Sequence, residues 1–164
     1  MTAQSRKAEE VGVSDEIQIK QIPAQLALVV STRVKMTEIA AGMGRAFDAL
    51  MRHAVATGAQ FAGPPFTLYP EMPSEEFTFL VCMPVAPGAV AGEGVDLQEL
   101  PATEAATLLY RGPYDAMEPA WGRLMAWVGR SSRQPGGPMR EVYLNEPDTV
   151  APEDLLTELV VPLA

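Results

Sequence analysis

The sequence repeats itself, and a repeat of this length limits the fold more than any other feature of the chain. Residues 22–50 (IPAQLALVVSTRVKMTEIAAGMGRAFDAL) align without a gap on residues 100–128 (LPATEAATLLYRGPYDAMEPAWGRLMAWV) at an offset of 100 − 22 = 78. Pro23, Ala24, Ala27, Arg33, Gly44 and Arg45 fall on Pro101, Ala102, Ala105, Arg111, Gly122 and Arg123. The apolar positions coincide as well. Ile39, Met43, Ala46, Phe47 and Leu50 match Met117, Trp121, Leu124, Met125 and Val128, and each set keeps the spacing that gathers side chains on one helical face. Thr37 and Asp115, residue types that cap helix N-termini, lie just ahead of both faces. The period exceeds the roughly 20 to 50 residues of solenoid repeats, so what is duplicated is a whole supersecondary unit.

Around the two helical faces the sequence alternates as strands. EIQIKQI is interrupted by Pro23 before QLALVVSTRV resumes, and LQEL is interrupted by Pro101 in the same way. The first helix should cover about 37–58 and stop at Gly58. The second should cover about 116–130, with Pro119 tolerated in its first turn. FTLYP and EFTFLVCMPV complete the first unit as a strand pair, and REVYLN and LLTELVVPL complete the second. The expected fold is α+β. Two strand-helix-strand-strand units, about 16–86 and 96–164, are related by pseudo-twofold symmetry, with both helices on one side of a curved antiparallel sheet and the whole forming a single domain. Residues 1–15 are polar and aperiodic and are expected to form a flexible tail.

Charge narrows the function. Twelve Lys and Arg against 21 Asp and Glu give a net charge of −9 over 164 residues. That balance disfavours direct DNA binding and anionic membrane surfaces, and suits cations or neutral apolar ligands. A single cysteine, Cys82, rules out an internal disulfide framework, and its apolar neighbours FTFLVCMPV make it a core thiol. A single histidine, His53, leaves no histidine or cysteine cluster for a metal, and no cofactor motif is present. The absence of an apolar run of about 20 residues or of a secretory leader points to a cytoplasmic protein.

The ordered series IPAQLALVV, GPPFTLY, YRGPYDAMEPAWGRLMAWV, REVYLNEP and TELVVPL resembles the GyrI-like small-molecule-binding domain, the effector-binding domain of many bacterial transcription regulators, over about residues 15–163. The resemblance implies a ligand pocket lined by aromatics and by a carboxylate on the final strand.

Glu158 is the candidate carboxylate. It stands in LLTELVVPL, where both faces are otherwise mostly apolar, so it must pair with a cation, accept hydrogen bonds, take up a proton, or lie on a solvated sheet face. The resemblance favours the pocket. Tyr143, on the preceding strand, would share a face with Glu158 and offer it a hydroxyl donor, with Tyr69 as its rough counterpart in the first half. Trp121 lies on the apolar face of its helix where the first half has Met43, an asymmetry that an off-centre pocket would need; Trp127 lies about a third of a turn away. Tyr110 completes the set of candidate ligand contacts. For each aromatic, a plain role in the core is the competing reading.

Three functions follow from these residues and the resemblance. The first is a stand-alone module that binds a lipophilic or cationic small molecule without touching DNA, with a separate regulator or a second copy of itself as partner. The second is a small-molecule hydrolase in which Glu158 directs a water. The third is gyrase-inhibitor-like protein interaction, which rests on the family's name alone.

Overall fold

The computed structural model describes residues 17–164, so the expected tail at 1–15 lies outside the described residues. The elements follow the order that the sequence pattern gives. They are β1 (Gln18–Ile22), β2 (Gln25–Lys35), α1 (Ile39–Thr57), β3 (Phe66–Tyr69), β4 (Glu76–Pro84), β5 (Asp96–Leu100), β6 (Thr103–Arg111), α2 (Glu118–Arg130), β7 (Met139–Tyr143) and β8 (Leu156–Pro162). The fold is α+β, and the strand pairs within each unit described below are antiparallel.

The chain forms two compact units, and these do not coincide with the sequence repeats. The first unit is Pro23–Ala102, with strand order β3-β4-β2-β5. The second joins Thr103–Ala164 to the described residues up to Ile22, with strand order β7-β8-β6-β1. The repeat aligns β1 with β5, yet β1 pairs with β6 and β5 pairs with β2, so the two units have exchanged their edge strands. Sequence supplies the reason. The connections β1–β2 and β5–β6 are the two-residue links Pro23-Ala24 and Pro101-Ala102. A tight two-residue hairpin needs a positive φ at its first central position, and proline is locked near −65°. Neither edge strand can fold back on the strand that follows it, and each finds its ladder elsewhere.

In both units the helix covers one face of its own sheet. The buried stripes are Gly42, Ala46, Leu50 and Ala54 on α1, and Ala120, Leu124 and Val128 on α2. Their first three members still obey the offset of 78, but the centre of the face lies one position away from that expected. Phe47 packs at the margin of the first core, whereas its counterpart Met125 is exposed and Trp127, expected off the face, packs against the second core. Small residues lead both stripes because the helices ride close to the sheet. A Cβ on Gly42 would stand 2.4 Å from Val34 Cγ1 on β2. The first core is built on Leu28, Val30, Phe77, Phe79 and Val81, the second on Leu108, Leu159 and Val161.

Thr37 and Asp115 do not cap the helices. Each lies inside a 3₁₀ turn, Met36–Glu38 or Tyr114–Ala116, that leads into the helix, and no side-chain cap bond forms at either start. Gly58 closes α1 as expected, at φ 73° with its N–H on the Ala54 carbonyl. Beyond α2 it is Ser132, and not a glycine, that takes the left-handed conformation, with φ 67°.

Candidate ligand site

Strand register decides which side chains can meet in the second unit. Leu108 on β6 and Glu141 on β7 both oppose Leu159 on β8; Tyr110 and Tyr143 both oppose Thr157. Leu108 and Leu159 belong to the core beneath α2, so Glu141, Tyr143 and Tyr110 stand on the helix-covered face. There α2 meets them. Trp121 donates its indole Nε1–H to Glu141 Oε2 at 3.1 Å, and the Tyr143 hydroxyl donates to Glu141 Oε1 at 3.1 Å. Each oxygen of one carboxylate thus accepts a hydrogen bond from an aromatic side chain, and the two bonds together fix its orientation.

A third aromatic closes on this pair. Tyr114, from the 3₁₀ turn between β6 and α2, sets its ring edge-on to Tyr143 with centroids 5.8 Å apart and an interplanar angle of 66°. Burial raises the Tyr114 phenol above its usual 10.0, and the negative charges of Glu141 and Glu146 raise it further. The Tyr110 hydroxyl is engaged within its own segment. It donates to the Pro113 carbonyl at 2.7 Å, across the turn that carries Tyr114. Burial, with a smaller contribution from Asp115, raises this phenol too.

The structure does not bring Glu158 and Tyr143 together as expected. Glu158 opposes Val142 on one side and Leu109 on the other, while Tyr143 opposes Thr157, so Glu158 and Tyr143 occupy opposite faces of the sheet. Glu158 instead forms an ion pair with Lys20 of β1 at 2.5 Å. The carboxylate that Tyr143 does meet stands two residues before it in the same strand. Sequence reasoning missed Glu141, although the alternation Glu141-Val142-Tyr143 signals it: in a strand, residues two apart share a face. Trp121 is brought to the site, and Trp127 is half-buried against the core of its unit.

Tyr69 lies in the first unit, packed against that unit's core, and the register makes it the true counterpart of Tyr143. Thr67 opposes Val81 on β4 just as Glu141 opposes Leu159 on β8, so Thr67 holds the position of Glu141 at an offset of 141 − 67 = 74. Met43 holds the position of Trp121, and the pair touches here too: Thr67 Oγ1 donates to Met43 Sδ at 3.3 Å. The same architectural corner is charged in one unit and neutral in the other.

Elsewhere, His53 Nε2 lies 2.7 Å from the Val90 carbonyl, Cys82 is buried, and among the described residues no three His, Cys, Asp or Glu side chains converge as a metal site. Among the described residues no helix is long and apolar enough to cross a membrane.

A fold of two α+β units, one of which carries a carboxylate framed by aromatics, is that of a small-molecule-binding module. The chain belongs to the GyrI-like small-molecule-binding domain family, whose model matches residues 15–164. No protein with a curated description matches it. Among solved structures it is similar to the C-terminal domain of EcmrR, at 20% identity and a TM-score of 0.81, with 91% of this chain and 97% of that one covered. It is similar to a hydrolase from Listeria innocua, at 14% identity and a TM-score of 0.68, covering 97% of this chain and 98% of that one. It is also similar to SAV2435 bound to tetraphenylphosphonium, at 13% identity and a TM-score of 0.64, covering 91% and 94%. At these identities the likeness is one of fold.

Proposed function

We propose that this chain binds a lipophilic organic cation whose positive centre is drawn to Glu141 and whose apolar groups lie against Trp121, Tyr143 and Tyr114. The observation that carries the reading is the pair of hydrogen bonds that Trp121 and Tyr143 donate to a single carboxylate, which build a negative centre into an aromatic frame. Membership in a small-molecule-binding family and the net charge of −9 support it. The relative SAV2435 was solved with tetraphenylphosphonium, a cation of this kind.

Magnitudes indicate what sort of ligand is needed. A cation over an aromatic face gains about 0.5 to 2 kcal/mol, whereas micromolar affinity requires about 8 kcal/mol. Most of the affinity must therefore come from buried apolar area at about 25 cal/mol per Å². A bulky aryl or alkyl cation fits that requirement, and a small hydrophilic one does not.

The test is calorimetric titration with methyltriphenylphosphonium and its neutral near-isostere triphenylphosphine oxide, followed by mass analysis of the recovered ligand. The reading expects the cation to bind at least tenfold more tightly and to be recovered unchanged. Equal affinities would remove the charge from the recognition. A changed mass after incubation with an electrophilic ligand would move the assignment to a hydrolase acting through the same carboxylate.

A further inference from the structure

The segment Tyr110-Arg111-Gly112-Pro113-Tyr114 is built around one hydrogen bond that the ligand site does not itself use. The Tyr110 hydroxyl reaches past Gly112 to the Pro113 carbonyl at 2.7 Å. Gly112 makes room for it. Its φ is +145°, a conformation that side chains rarely adopt, and a Cβ there would stand 2.7 Å from the Tyr110 hydroxyl and 3.0 Å from its Cζ. The Gly112 N–H is tied in turn to the Leu155 carbonyl at 2.9 Å, just before β8. Pro113, with its φ at −67°, then delivers the chain into the 3₁₀ turn that begins at Tyr114. The turn holds no buried residue of its own, so its position depends on these ties. Tyr114 is 41% exposed and rests edge-on against Tyr143, which holds Glu141.

We infer that Tyr110 is a positioning residue and Tyr114 a size-selecting one: the bond from Tyr110 to Pro113 holds the Tyr114 ring as the outer wall of the Glu141 site, where it contacts the periphery of a large ligand and not its charged centre. This rests on Glu141 being the cation site. The geometry separates two distances from the charge. Glu141, Trp121 and Tyr143 form the inner part, linked by hydrogen bonds, and Tyr114 adjoins it at the Tyr143 ring, one side chain further from the carboxylate in that chain of contacts. A compact cation at Glu141 spans the inner part alone. A triaryl cation extends far enough to lie on Tyr114. Loss or displacement of Tyr114 therefore removes affinity for the large ligand and spares the small one.

The experiment compares wild type, Tyr110→Phe, Tyr114→Ala and Glu141→Gln, all as the full chain. Methyltriphenylphosphonium is titrated by calorimetry and tetraethylammonium by NMR, and backbone hydrogen exchange is followed over residues 112–117. Tyr110→Phe keeps the ring and removes only the hydroxyl. The expected result is a loss of about fivefold to tenfold in affinity for the triaryl cation in both Tyr110→Phe and Tyr114→Ala. Tetraethylammonium binding should be unchanged in both, and exchange at 112–117 should be faster in Tyr110→Phe alone. A general structural role for Tyr110 would instead lower both affinities together and leave their ratio where it was. If Glu141→Gln weakens both cations while the ratio is the same in wild type, Tyr110→Phe and Tyr114→Ala, the cation site stands and the inference falls. If wild type binds neither cation, the cation site falls and takes the inference with it.

Discussion

Replacing Glu141 by Gln isolates the charge of the proposed site better than most substitutions could. The amide has the same shape, and these two hydrogen bonds can be kept: Trp121 Nε1–H donates to the amide oxygen, while the Tyr143 hydroxyl turns from donor to acceptor and accepts from the amide N–H. Folding stability should therefore change by less than about 1 kcal/mol. Binding should not be spared. A monovalent cation centred about 5 Å from the carboxylate gains about 3 kcal/mol at an effective dielectric constant of about 20. Glu141 is only half-buried, so part of this is screened, and a loss of about 1.5 to 3 kcal/mol is expected, roughly 10-fold to 150-fold in affinity. Triphenylphosphine oxide should change by less than about threefold, because it brings no charge to lose. Glu158→Gln serves as the control. Its carboxylate lies on the opposite face of the sheet and pairs with a Lys20 side chain that is 43% exposed, so removing it should cost at most about 1 kcal/mol of stability and nothing in binding. The assay is calorimetric titration of the three proteins with the cation and the oxide, with thermal melts alongside. Unchanged cation affinity in Glu141→Gln, or a larger loss in Glu158→Gln, would refute the assignment.

Three further outcomes test the structure around the site. Tyr114 should ionise above pH 10 in a spectrophotometric titration, and Glu141→Gln should lower its midpoint only in part, because burial is the larger cause and one of the two carboxylates remains. Since the folded state holds that proton more tightly than the unfolded chain does, the associated stability is whole below pH 10 and is lost as pH rises through the folded-state value; thermal melts across pH 8 to 11 should show the decline. Gly42→Ala should gain about 1 kcal/mol of helix propensity and lose about 1 to 3 kcal/mol to the clash with Val34 Cγ1, for a net destabilisation that Val34→Ala relieves in the double variant, measured by urea denaturation. Ser132→Gly should stabilise the chain by up to about 1 kcal/mol by removing a left-handed serine at the end of α2; a loss of stability in the same denaturation assay would show that this serine is not strained.

The sequence made the helices and strands legible because both periodicities are long and are written twice. Residues 42, 46 and 50 bury as residues 120, 124 and 128 do, and the offset of 78 that relates the two halves also relates β2 to β6 and β4 to β8 in their pairing registers. What sequence could not show was partner choice. Periodicity says which side chains share a face of a strand, but not which strand lies beside it, and the exchange of β1 and β5 became apparent only from the pairing. The shared face expected of Tyr143 and Glu158 failed for a related reason. Placing Tyr143 beside Glu158 required a register between β7 and β8, and a slip of one residue moves every side chain to the other face. Glu141 and Tyr143 needed no register, since they are two apart on one strand, but a glutamate among polar neighbours in REVYLNEP is less conspicuous than one set in LLTELVVPL.

Two units with matching strand registers offer corresponding positions twice, so the difference between them is informative in a way that a single residue is not. At the corner where helix meets third strand, the second unit has Trp121 and Glu141 and the first has Met43 and Thr67. The two changes depend on each other. A carboxylate in the place of Thr67 would face a thioether, which has no proton to donate, in a fully buried setting. A tryptophan in the place of Met43 would bring an indole N–H that the Thr67 hydroxyl oxygen could accept, since its present donation goes to Met43 itself, but that pair would carry no charge. Charge and donor therefore belong together, and their joint presence in one unit alone makes that corner a place built to hold a negative charge, while its twin packs as ordinary core. The tyrosine common to both, Tyr143 and Tyr69, does not make that distinction: it donates to the carboxylate in the unit that has one and packs against the core in the unit that does not.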